Sequence, residues 1–324
     1  MKIFITGGTG FIGGHLIKQL ADMGHHGRGL VRATSNTGPL EKAGVELVNG
    51  NVRNKDSLLD GMEGCDWVVN LANVYSFWEP DKKIFHAVNV EGTRNVMEAA
   101  LERGVSKVVH ISTGGVFGKT RELPFTEETP VGPERFCEYF ETKYQGDLIA
   151  WELYKSRNLP LVMVYPMAVL GPGDPKATGQ YIKRLVKRKL PARVFEDKLF
   201  TFVHVKDVAE VIIKAMEKEN NIGEKYIAGK FQHTFGEINR MVSEISGVRL
   251  PRMQMPDFLV IFNARLLTLL ADLIKKPPLW GMAIDQMRIM KAEFIADGSK
   301  AERELGVSYT PIYDTIKETI ASFR

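Results

Sequence analysis

The first predicted strand leads directly into a glycine-rich loop, Thr6-Gly7-Gly8-Thr9-Gly10-Phe11-Ile12-Gly13, with glycines spaced at positions 7, 10 and 13. Glycine permits the tight turn, lets the backbone approach a pyrophosphate and allows the next helix to pack closely. The N-terminus of that helix offers free N–H groups and a positive dipole end to phosphates. Because the loop opens the first strand–helix unit of an alternating chain, it predicts a dinucleotide-binding site.

Outward from this loop, short apolar segments alternate with helical patterns through residue 165. Strand, helix and strand repeated in this way predict a parallel sheet with helices on both faces. The segment 25–29 is poor strand material because it contains two glycines, so only the alternation supports a strand here. The predicted strands are 2–6, 29–32, 45–48, 67–71, 107–112 and 161–165, and the predicted helices are 11–23, 56–62, 81–103 and 134–157.

The alternation ends at a dense turn cluster, residues 171–175. Helical patterns follow at 181–189, 207–218, 234–246, 258–275, 297–305 and 312–323. The sequence therefore predicts an α/β fold, a doubly wound Rossmann parallel sheet with a smaller, mostly helical region. We expect residues 1–170 to bind the cofactor, with a segment near 200–230 returning to that domain, and residues 171–324 mainly to bind the substrate.

The composition is that of an ordinary globular protein, with 44% hydrophobic and 25% charged residues among 324. The net charge of +4 is too small and too evenly spread to predict nucleic acid as a partner. The two cysteines, Cys65 and Cys137, fit a reducing compartment and lack metal-ligand spacing, so no metal site is predicted.

The sequence predicts neither secretion nor membrane insertion. The N-terminal segment has no basic region followed by a long apolar stretch, so a signal peptide is not expected. The strongest apolar run near the C-terminus, 258–262, is soon interrupted by Asn263 and Arg265, and it cannot supply the roughly 20 apolar residues of a membrane span. We expect a cytoplasmic protein with no integral membrane segment.

The end of the second predicted strand indicates which dinucleotide is bound. In NAD-binding domains of this type an acidic residue about 20 positions after the glycines binds the ribose hydroxyls. Here the strand ends on Arg32 and no acid stands in that place. An arginine pairs with a 2′-phosphate, so the sequence predicts NADP(H) rather than NAD(H). The alternative is that Arg32 is a surface residue directed elsewhere.

A tyrosine and a lysine four residues apart share one face of a helix, and a nearby ammonium favours phenolate and so lowers the pKa of the tyrosine. Such a tyrosine can exchange a proton with a carbonyl or hydroxyl near neutral pH. Three pairs have this spacing: Tyr139/Lys143, Tyr226/Lys230 and Tyr313/Lys317. Context favours the Tyr139 pair, because its helix directly follows the fifth predicted strand. The Tyr226 pair lies in a strand-like stretch, and the Tyr313 pair lies in the last helix.

Two hydroxyl residues, Ser112 and Thr113, stand at the carboxyl end of the fifth strand. Alone, such a pair usually bonds its own backbone at a strand end. Beside Tyr139 and Lys143, however, one hydroxyl could hold a substrate oxygen while the tyrosine moves the proton.

With these residues in place, the chain resembles an extended short-chain dehydrogenase/reductase of the NAD-dependent epimerase/dehydratase superfamily. It is most similar to dihydroflavonol-4-reductase-like proteins and the related hopanoid-associated sugar epimerases, through residues 75–80 and 89–95. The matching pieces are the glycine loop, Leu71-Ala72, Asn89-Val90-Glu91-Gly92-Thr93, Ser112-Thr113, Tyr139/Lys143, residues 166–173 and residues 204–209.

The resemblance implies a role for each matched residue. Thr113 takes the catalytic Ser/Thr place, Tyr139 that of the proton donor, and Lys143 the ribose-binding and pKa-lowering place. Asn89 matches the active-site asparagine. The resemblance and the glycine loop together imply a set of cofactor contacts. These residues are Gly7, Thr9, Gly10, Phe11, Ile12, Gly13, Arg32, Asn51, Val52, Leu71, Ala72, Ser112, Tyr139, Lys143, Pro166, Ala168 and Val169.

The chain departs from the family pattern at three positions. Asn51 stands where an aspartate usually lies near the adenine, and asparagine can still bond the adenine amino group. Tyr165 replaces a common arginine, and Phe117 replaces a common tyrosine. Neither of the last two touches the expected chemistry, but both leave the substrate open.

Three further segments bear on the substrate, and each has two interpretations. Tyr75, Phe77 and Trp78 suit an apolar or aromatic carbonyl compound, or they pack against the helical region. The basic run 183–189 suits the diphosphate of a nucleotide-sugar, or it is a solvated face. The apolar helix 258–274 caps the pocket or touches a membrane surface, or it is a packing helix.

The leading hypothesis is an NADPH-dependent reductase of a ketone or aldehyde, acting on a small-molecule substrate and possible as a homodimer. The alternative is a nucleotide-sugar epimerase or dehydratase that retains its NAD(P). A third hypothesis, a non-catalytic NADP(H)-sensing protein, is disfavoured by the intact Thr113, Tyr139 and Lys143.

Overall fold

The computed structural model describes residues 1–323, apart from the side chain of Ala177. The strands, numbered along the chain, are β1 (Lys2–Thr6), β2 (His26–Val31), β3 (Glu46–Asn49), β4 (Trp67–Asn70), β5 (Lys107–Ile111), β6 (Leu161–Pro166), β7 (Ala168–Leu170), β8 (Leu199–His204), β9 (Lys225–Ala228) and β10 (Phe231–Thr234).

The helices are numbered in the same way, and a π-helical turn at His86–Val90 joins the fourth to the fifth. They are α1 (Phe11–Asp22), α2 (Gly38–Lys42), α3 (Lys55–Met62), α4 (Lys83–Phe85), α5 (Glu91–Arg103), α6 (Glu138–Arg157), α7 (Ala177–Val186), α8 (Val205–Glu217), α9 (Phe235–Ser246), α10 (Asp257–Ile274), α11 (Ile284–Lys291), α12 (Ser299–Leu305) and α13 (Ile312–Ala321).

Seven strands form one sheet in the order β3-β2-β1-β4-β5-β6-β9, and all of its pairings are parallel. Helices cover both faces, as the crossovers between parallel strands require. The predicted doubly wound Rossmann fold is therefore confirmed. Strand order reverses beside β1, where the chain continues to β2 on one side and β4 lies on the other.

Strand β1 shows why both faces of the sheet are buried. Ile3 and Ile5 belong to the core layer under α1 and α8, whereas Phe4 belongs to the layer under α3 and α5. All three side chains are fully buried. A strand that alternates between two apolar layers reads as a continuous apolar run, which is the pattern of a parallel sheet.

Strand β2 begins at His26, so the expectation that the glycines of 25–29 oppose a strand is wrong. A Cβ built on Gly29 would lie 3.1 Å from the Leu40 side chain and 3.2 Å from that of Val45. A Cβ on Gly27 would lie 3.4 Å from Val45. The glycines are present because α2 and the start of β3 pack directly on this strand, an arrangement that tertiary contacts decide rather than strand propensity.

The second half contains a small sheet that the sequence pattern did not predict, in the order β10-β8-β7. Strand β7 follows β6 after a single residue, and β8 carries the buried Phe200 and Phe202. The predicted helix 181–189 ends early, because α7 stops at Val186 and Arg188 has a positive φ of 55°.

Strand β9 returns to the main sheet at its edge beside β6. Lys107 of β5 reinforces this side, because its buried ammonium donates to the Met216 carbonyl at 2.9 Å and to Asn221 Oδ1 at 2.8 Å. Across residues 1–323, none of the helices combines the length and the apolar character needed to cross a bilayer.

Candidate active site

A cavity of about 650 Å³ lies at the carboxyl edge of the main sheet. It begins at the loop after β1, runs past the ends of β4 and β5, and reaches the segments after β6. In open α/β sheets ligands bind where the strand order reverses, and the cavity occupies this place between β1 and β4.

The glycine loop fits a pyrophosphate because its backbone lies closer to its neighbours than any side chain would allow. Gly7 has a positive φ of 72°, and a Cβ there would lie 2.6 Å from the carbonyl carbon of Leu71. A Cβ on Gly13 would lie 2.4 Å from the Gly7 oxygen. Helix α1 begins after Gly10 with no side-chain cap and no acid in its first turn, so its N–H groups are free for an anion.

The far end of the cavity, beside β2 and β3, carries two cations. Arg32 and Arg53 both line it and are exposed, and among the described lining residues Asp174 alone is acidic. The Arg32 backbone N–H donates to Ser35 Oγ at 3.0 Å, and that of Arg53 donates to Asn51 Oδ1 at 3.0 Å. This end therefore has the positive charge that a 2′-phosphate needs.

Tyr139 lies in the first turn of α6 within a group of aromatic rings. Its ring centroid is 5.1 Å from that of Tyr75 and 5.5 Å from that of Phe140. Burial raises the pKa of Tyr139 well above its usual value, while a hydrogen bond from the side chain of Thr113 acts in the opposite direction. The expectation that Lys143 lowers this pKa is wrong for this structure, because loss of solvent outweighs every other influence.

Lys143 lies one turn along the same face of α6 but is covered by the protein. Its Nζ donates to the Ile111 carbonyl at 2.8 Å, and it does not line the cavity. Burial lowers the pKa of Lys143 to about 8, and the nearby Asp147 carboxylate opposes that shift. The ammonium is thus held behind Tyr139, at the end of β5.

Asn89 is also absent from the cavity wall, although the resemblance gave it a catalytic place. It is fully buried in the π-helical turn, where Oδ1 accepts from the Val74 N–H at 2.8 Å. Its Nδ2 donates to Thr142 Oγ1 at 3.1 Å. In this structure Asn89 positions the segment after β4 against α6, and it does not reach the place of a substrate.

Sequence reasoning missed a row of buried polar side chains under the cavity. Thr6 Oγ1 donates to Asn70 Oδ1 at 2.6 Å, and Asn70 Nδ2 lies 3.0 Å from His110 Nδ1. His110 Nε2 lies 3.3 Å from Asp147 Oδ1, and Ser112 Oγ donates to Asp147 Oδ2 at 2.6 Å. A signal was present, because Thr6, Asn70 and His110 are polar residues in apolar strands and are paired in register.

Of the predicted cofactor contacts, all except Lys143 line the cavity, and so does Thr113. Tyr75 and Phe77 line it as well, but Trp78 does not, because its indole N–H donates to Asp272 at 2.8 Å. The second half of the chain adds apolar lining that was not predicted. These residues are Phe200, Phe202, Phe235, Ile289, Met290 and Phe294.

The basic run 183–189 contributes nothing to this cavity. Arg184 is turned to the carbonyl of Trp280, and the Lys183 ammonium lies 5.7 Å from the ring centroid of Phe323. The interpretation of this run as a diphosphate site therefore has no support in the described structure.

Comparison with known proteins agrees with this geometry. Residues 3–229 match the model of the NAD dependent epimerase/dehydratase family. The chain belongs to this family. It is therefore an NAD(P)-dependent enzyme of the short-chain dehydrogenase/reductase type, as the resemblance implied.

Three relatives extend along nearly the whole chain. "Putative dihydroflavonol 4-reductase" of Synechocystis sp. is 29% identical and covers 99% of this chain and 94% of its own. Sterol demethylase protein B of Methylococcus capsulatus is 30% identical and covers 100% and 98%. The crystal structure of gox2253 has a TM-score of 0.86 at 34% identity and covers 99% and 97%.

Replacement of Gly7 by alanine should abolish dinucleotide binding, because the new Cβ would meet the backbone of Leu71 in a left-handed conformation. The matched control is Gly14→Ala in α1, the helix that follows the loop, where the added Cβ meets nothing within 4 Å. Gly14→Ala should bind NADPH normally and gain about 0.5–1 kcal/mol of stability. Fluorescence titration with NADPH and thermal unfolding measure both effects, and normal binding by Gly7→Ala would contradict the assignment of the loop.

The stability of the protein should fall below pH 6.5 because of His110. Burial lowers the pKa of His110 to about 4, with the Lys143 ammonium acting in the same direction. Between about pH 6.5 and 4 the unfolded chain binds a proton that the folded chain excludes, so acid favours unfolding. From pH 6.5 to 5 this histidine should cost about 1.5 kcal/mol.

The variant His110→Gln cannot titrate and keeps an amide that can donate to Asp147. Urea unfolding at several pH values should show that it loses less stability on acidification than the parent protein does. His15 and His204, whose pKa values are also lowered mainly by burial, remain in both proteins and cancel in the comparison. Parallel pH curves for the two proteins would show that the pKa of His110 is the same in the folded and the unfolded chain, which contradicts the prediction.

Proposed function

We propose that this protein is an NADPH-dependent reductase of an apolar ketone or aldehyde. The observation that carries the proposal is the place of Tyr139. Its hydroxyl lies beside Thr113 in the cavity that the glycine loop opens, and aromatic rings shield it from water. A protonated tyrosine in a dry pocket is a suitable general acid for a carbonyl oxygen.

When bound, NADPH supplies a hydride to the carbonyl carbon and leaves as NADP⁺. Thr113 Oγ1 orients the carbonyl oxygen, and the Tyr139 hydroxyl donates its proton to that oxygen as the C=O π electrons move onto it. Tyr139 is protonated at neutral pH, in the form that can donate, although burial raises its pKa and so opposes formation of the phenolate. Lys143, held at the Ile111 carbonyl, places a positive charge behind the phenolate that forms.

The lining of the cavity supports an apolar substrate. Beyond Tyr139, the wall is built from Tyr75, Phe77 and the aromatic residues of the second half of the chain. Burial also raises the pKa of Tyr75, so this ring stays neutral. Two relatives bear the names of a dihydroflavonol and a sterol, both apolar ring compounds, which fits such a wall.

The same wall disfavours a nucleotide-sugar, whose diphosphate needs several cations. Outside the arginine end, Lys176 alone among the described lining residues is basic, and its Nζ already donates to the Tyr75 carbonyl at 2.5 Å. Its charge is further opposed by Asp174 in the same wall. We therefore place the epimerase or dehydratase second.

The decisive experiment follows NADPH absorbance with purified protein and a panel of aromatic, steroid-like and small aliphatic carbonyls. A reductase must release NADP⁺ in every cycle, so the purified protein should be largely free of dinucleotide and should oxidise NADPH stoichiometrically with one of the first two classes. Tightly held dinucleotide, together with conversion of a nucleotide-sugar at no net cost in NADPH, would establish the epimerase instead.

Tyr139→Phe should lower kcat roughly a hundredfold or more while the affinity for NADPH stays nearly the same, because it removes the general acid alone. Tyr226→Phe and Tyr313→Phe are matched controls that should keep full activity. Their hydroxyls donate to Glu304 and Glu244, and neither residue lines the cavity. Stopped-flow turnover and NADPH titration separate the two effects, and full turnover by Tyr139→Phe would exclude it as the proton donor.

Arg32→Ala should weaken NADPH binding more than NADH binding, because only NADPH carries the 2′-phosphate. Loss of a charge-assisted hydrogen bond corresponds to roughly tenfold or more in affinity. Arg53→Ala tests the second cation at this end, and Arg157→Ala, on the exposed end of α6, serves as the control. Tighter binding of NADH than of NADPH by the parent protein would overturn the cofactor assignment.

A further inference from the structure

Helix α10 turns most of its apolar side chains away from the protein. Val260, Ala264 and Ala271 are buried against it. On the opposite side Phe258 is 69% exposed and Leu273 is 81% exposed. This surface, here called the outer face, consists of Phe258, Leu259, Phe262, Leu266, Leu269, Leu270, Leu273 and Ile274, all of them exposed.

The outer face is continuous. At about 100° per residue its eight side chains fall within roughly 160° of the helix circumference, and the helix is roughly 27 Å long. Within that arc the half-buried Asn263 is the single polar side chain among the described residues, and Arg265 borders one edge. Scattered exposed leucines are normal on a protein surface, but a contiguous apolar stripe of this length marks a binding surface.

The exposed charged residues along the helix that carries the outer face are all basic. Between residues 257 and 276 the exposed charged residues are Arg265, Lys275 and Lys276. The two acids in this range are half-buried, and Asp272 accepts a hydrogen bond from Trp78. An apolar face with a cationic border is complementary to the anionic surface of a lipid bilayer.

The chain on either side extends this pattern. Leu279 and Trp280 are exposed just beyond the helix, and Arg184 donates to the Trp280 carbonyl. Just beyond the end of α7, residues 187–189 add three further exposed cations. Tryptophan is enriched at membrane–water interfaces. If a second copy of the chain covered this surface, the cations of the two copies would lie opposite one another and repel, which disfavours that occupant.

A smaller cavity of about 290 Å³ lies between the segment that follows α10 and the active site. Its wall includes Pro278, Trp280 and Met282 from the segment after α10. Tyr75, Phe77, Tyr181 and Met290 line both this cavity and the main one, so no more than one layer of side chains separates them. The exposed Trp280, which follows α10, is therefore part of the wall of a cavity that adjoins the apolar site.

We infer that the outer face of α10, with Leu279 and Trp280, binds the surface of an anionic lipid bilayer. The helix lies in the plane of the interface and does not cross the membrane, which agrees with its length and polarity. The apolar side chains enter the boundary of the acyl chains, and Arg265, Lys275 and Lys276 contact lipid phosphates. This inference does not depend on the proposed reaction, since it concerns binding alone.

Flotation of the full-length protein with vesicles tests the inference. Phosphatidylcholine vesicles with phosphatidylglycerol should carry the protein to the top of a density gradient, and pure phosphatidylcholine vesicles should carry less. The double variant Leu269→Gln/Leu273→Gln should lose tenfold or more in vesicle affinity because each leucine leaves the acyl boundary. Its control is Met23→Gln/Ile222→Gln, which replaces two exposed apolar residues elsewhere and should float normally.

A second pair of variants tests the charge. Lys275→Gln/Lys276→Gln should lose about thirtyfold in affinity for the anionic vesicles and little for the neutral ones. Lys155→Gln/Arg157→Gln, which removes two exposed cations at the end of α6, should bind as the parent does. NADPH titration and thermal unfolding should be unchanged in all four variants, which shows that they fold.

Two results would overturn the inference. Absence of flotation with both kinds of vesicle would do so directly. The second result would come from the oligomeric state measured by analytical ultracentrifugation. It is a parent protein that is a dimer, a Leu269→Gln/Leu273→Gln variant that is a monomer, and vesicles that do not compete with the dimer. The outer face would then be covered by a second copy of the chain.

Discussion

The close approach of two backbone segments, the loop after β1 and the end of β4, determines where the rest of the site lies. Gly7 fits against the Leu71 and Ala72 peptides with no space for a side chain, and Thr6 Oγ1 accepts a hydrogen bond from the Ala72 N–H at 3.2 Å. Because this contact fixes the start of α1 relative to β4, the free N–H groups of the glycine loop lie at a set distance from Thr113 at the end of β5. One edge of the sheet thus carries the predicted phosphate site and the predicted catalytic hydroxyl together.

Beneath that edge, the buried polar row secures the strand ends to α6. Unpaired polar groups in a dry interior are costly, so each member is stable only while its partner is present. Asp147 joins His110 to Ser112, and it lies on the same face of α6 as Tyr139 and Lys143. The orientation of Tyr139 therefore depends on His110 and Asp147, which do not line the cavity. The neutral state of His110 is part of this arrangement, since a cation there would face Lys143.

Local signals in the sequence predicted much of the site, and interactions between distant segments account for the rest. The glycine loop and the Tyr139–Lys143 spacing each lie on one element, so their geometry follows from strand and helix periodicity alone. The buried position of Asn89 could not be predicted, because its hydrogen-bond partners come from the segment after β4 and from α6. The aromatic wall from β8 and α9 could not be predicted, because nothing in the local pattern shows that these elements fold over the sheet. Arg32 lies just after a strand end and lines the cavity, but its contact with a 2′-phosphate stays a prediction.

Gly7 also determines how this site can change in evolution. A side chain there would collide with backbone atoms of residues 71 and 72, and no substitution at those positions moves a backbone atom. At Gly115 the added Cβ would instead meet the ring of Phe140, and at Gly114 it would meet the Met167 side chain. A larger residue can replace Gly115 or Gly114 if the neighbouring Phe140 or Met167 is replaced by a smaller residue. Substitutions at each glycine and its neighbour are therefore coupled. Gly7 has no such partner, because its neighbours are backbone atoms, so we expect it to be retained while side chains elsewhere in the pocket change.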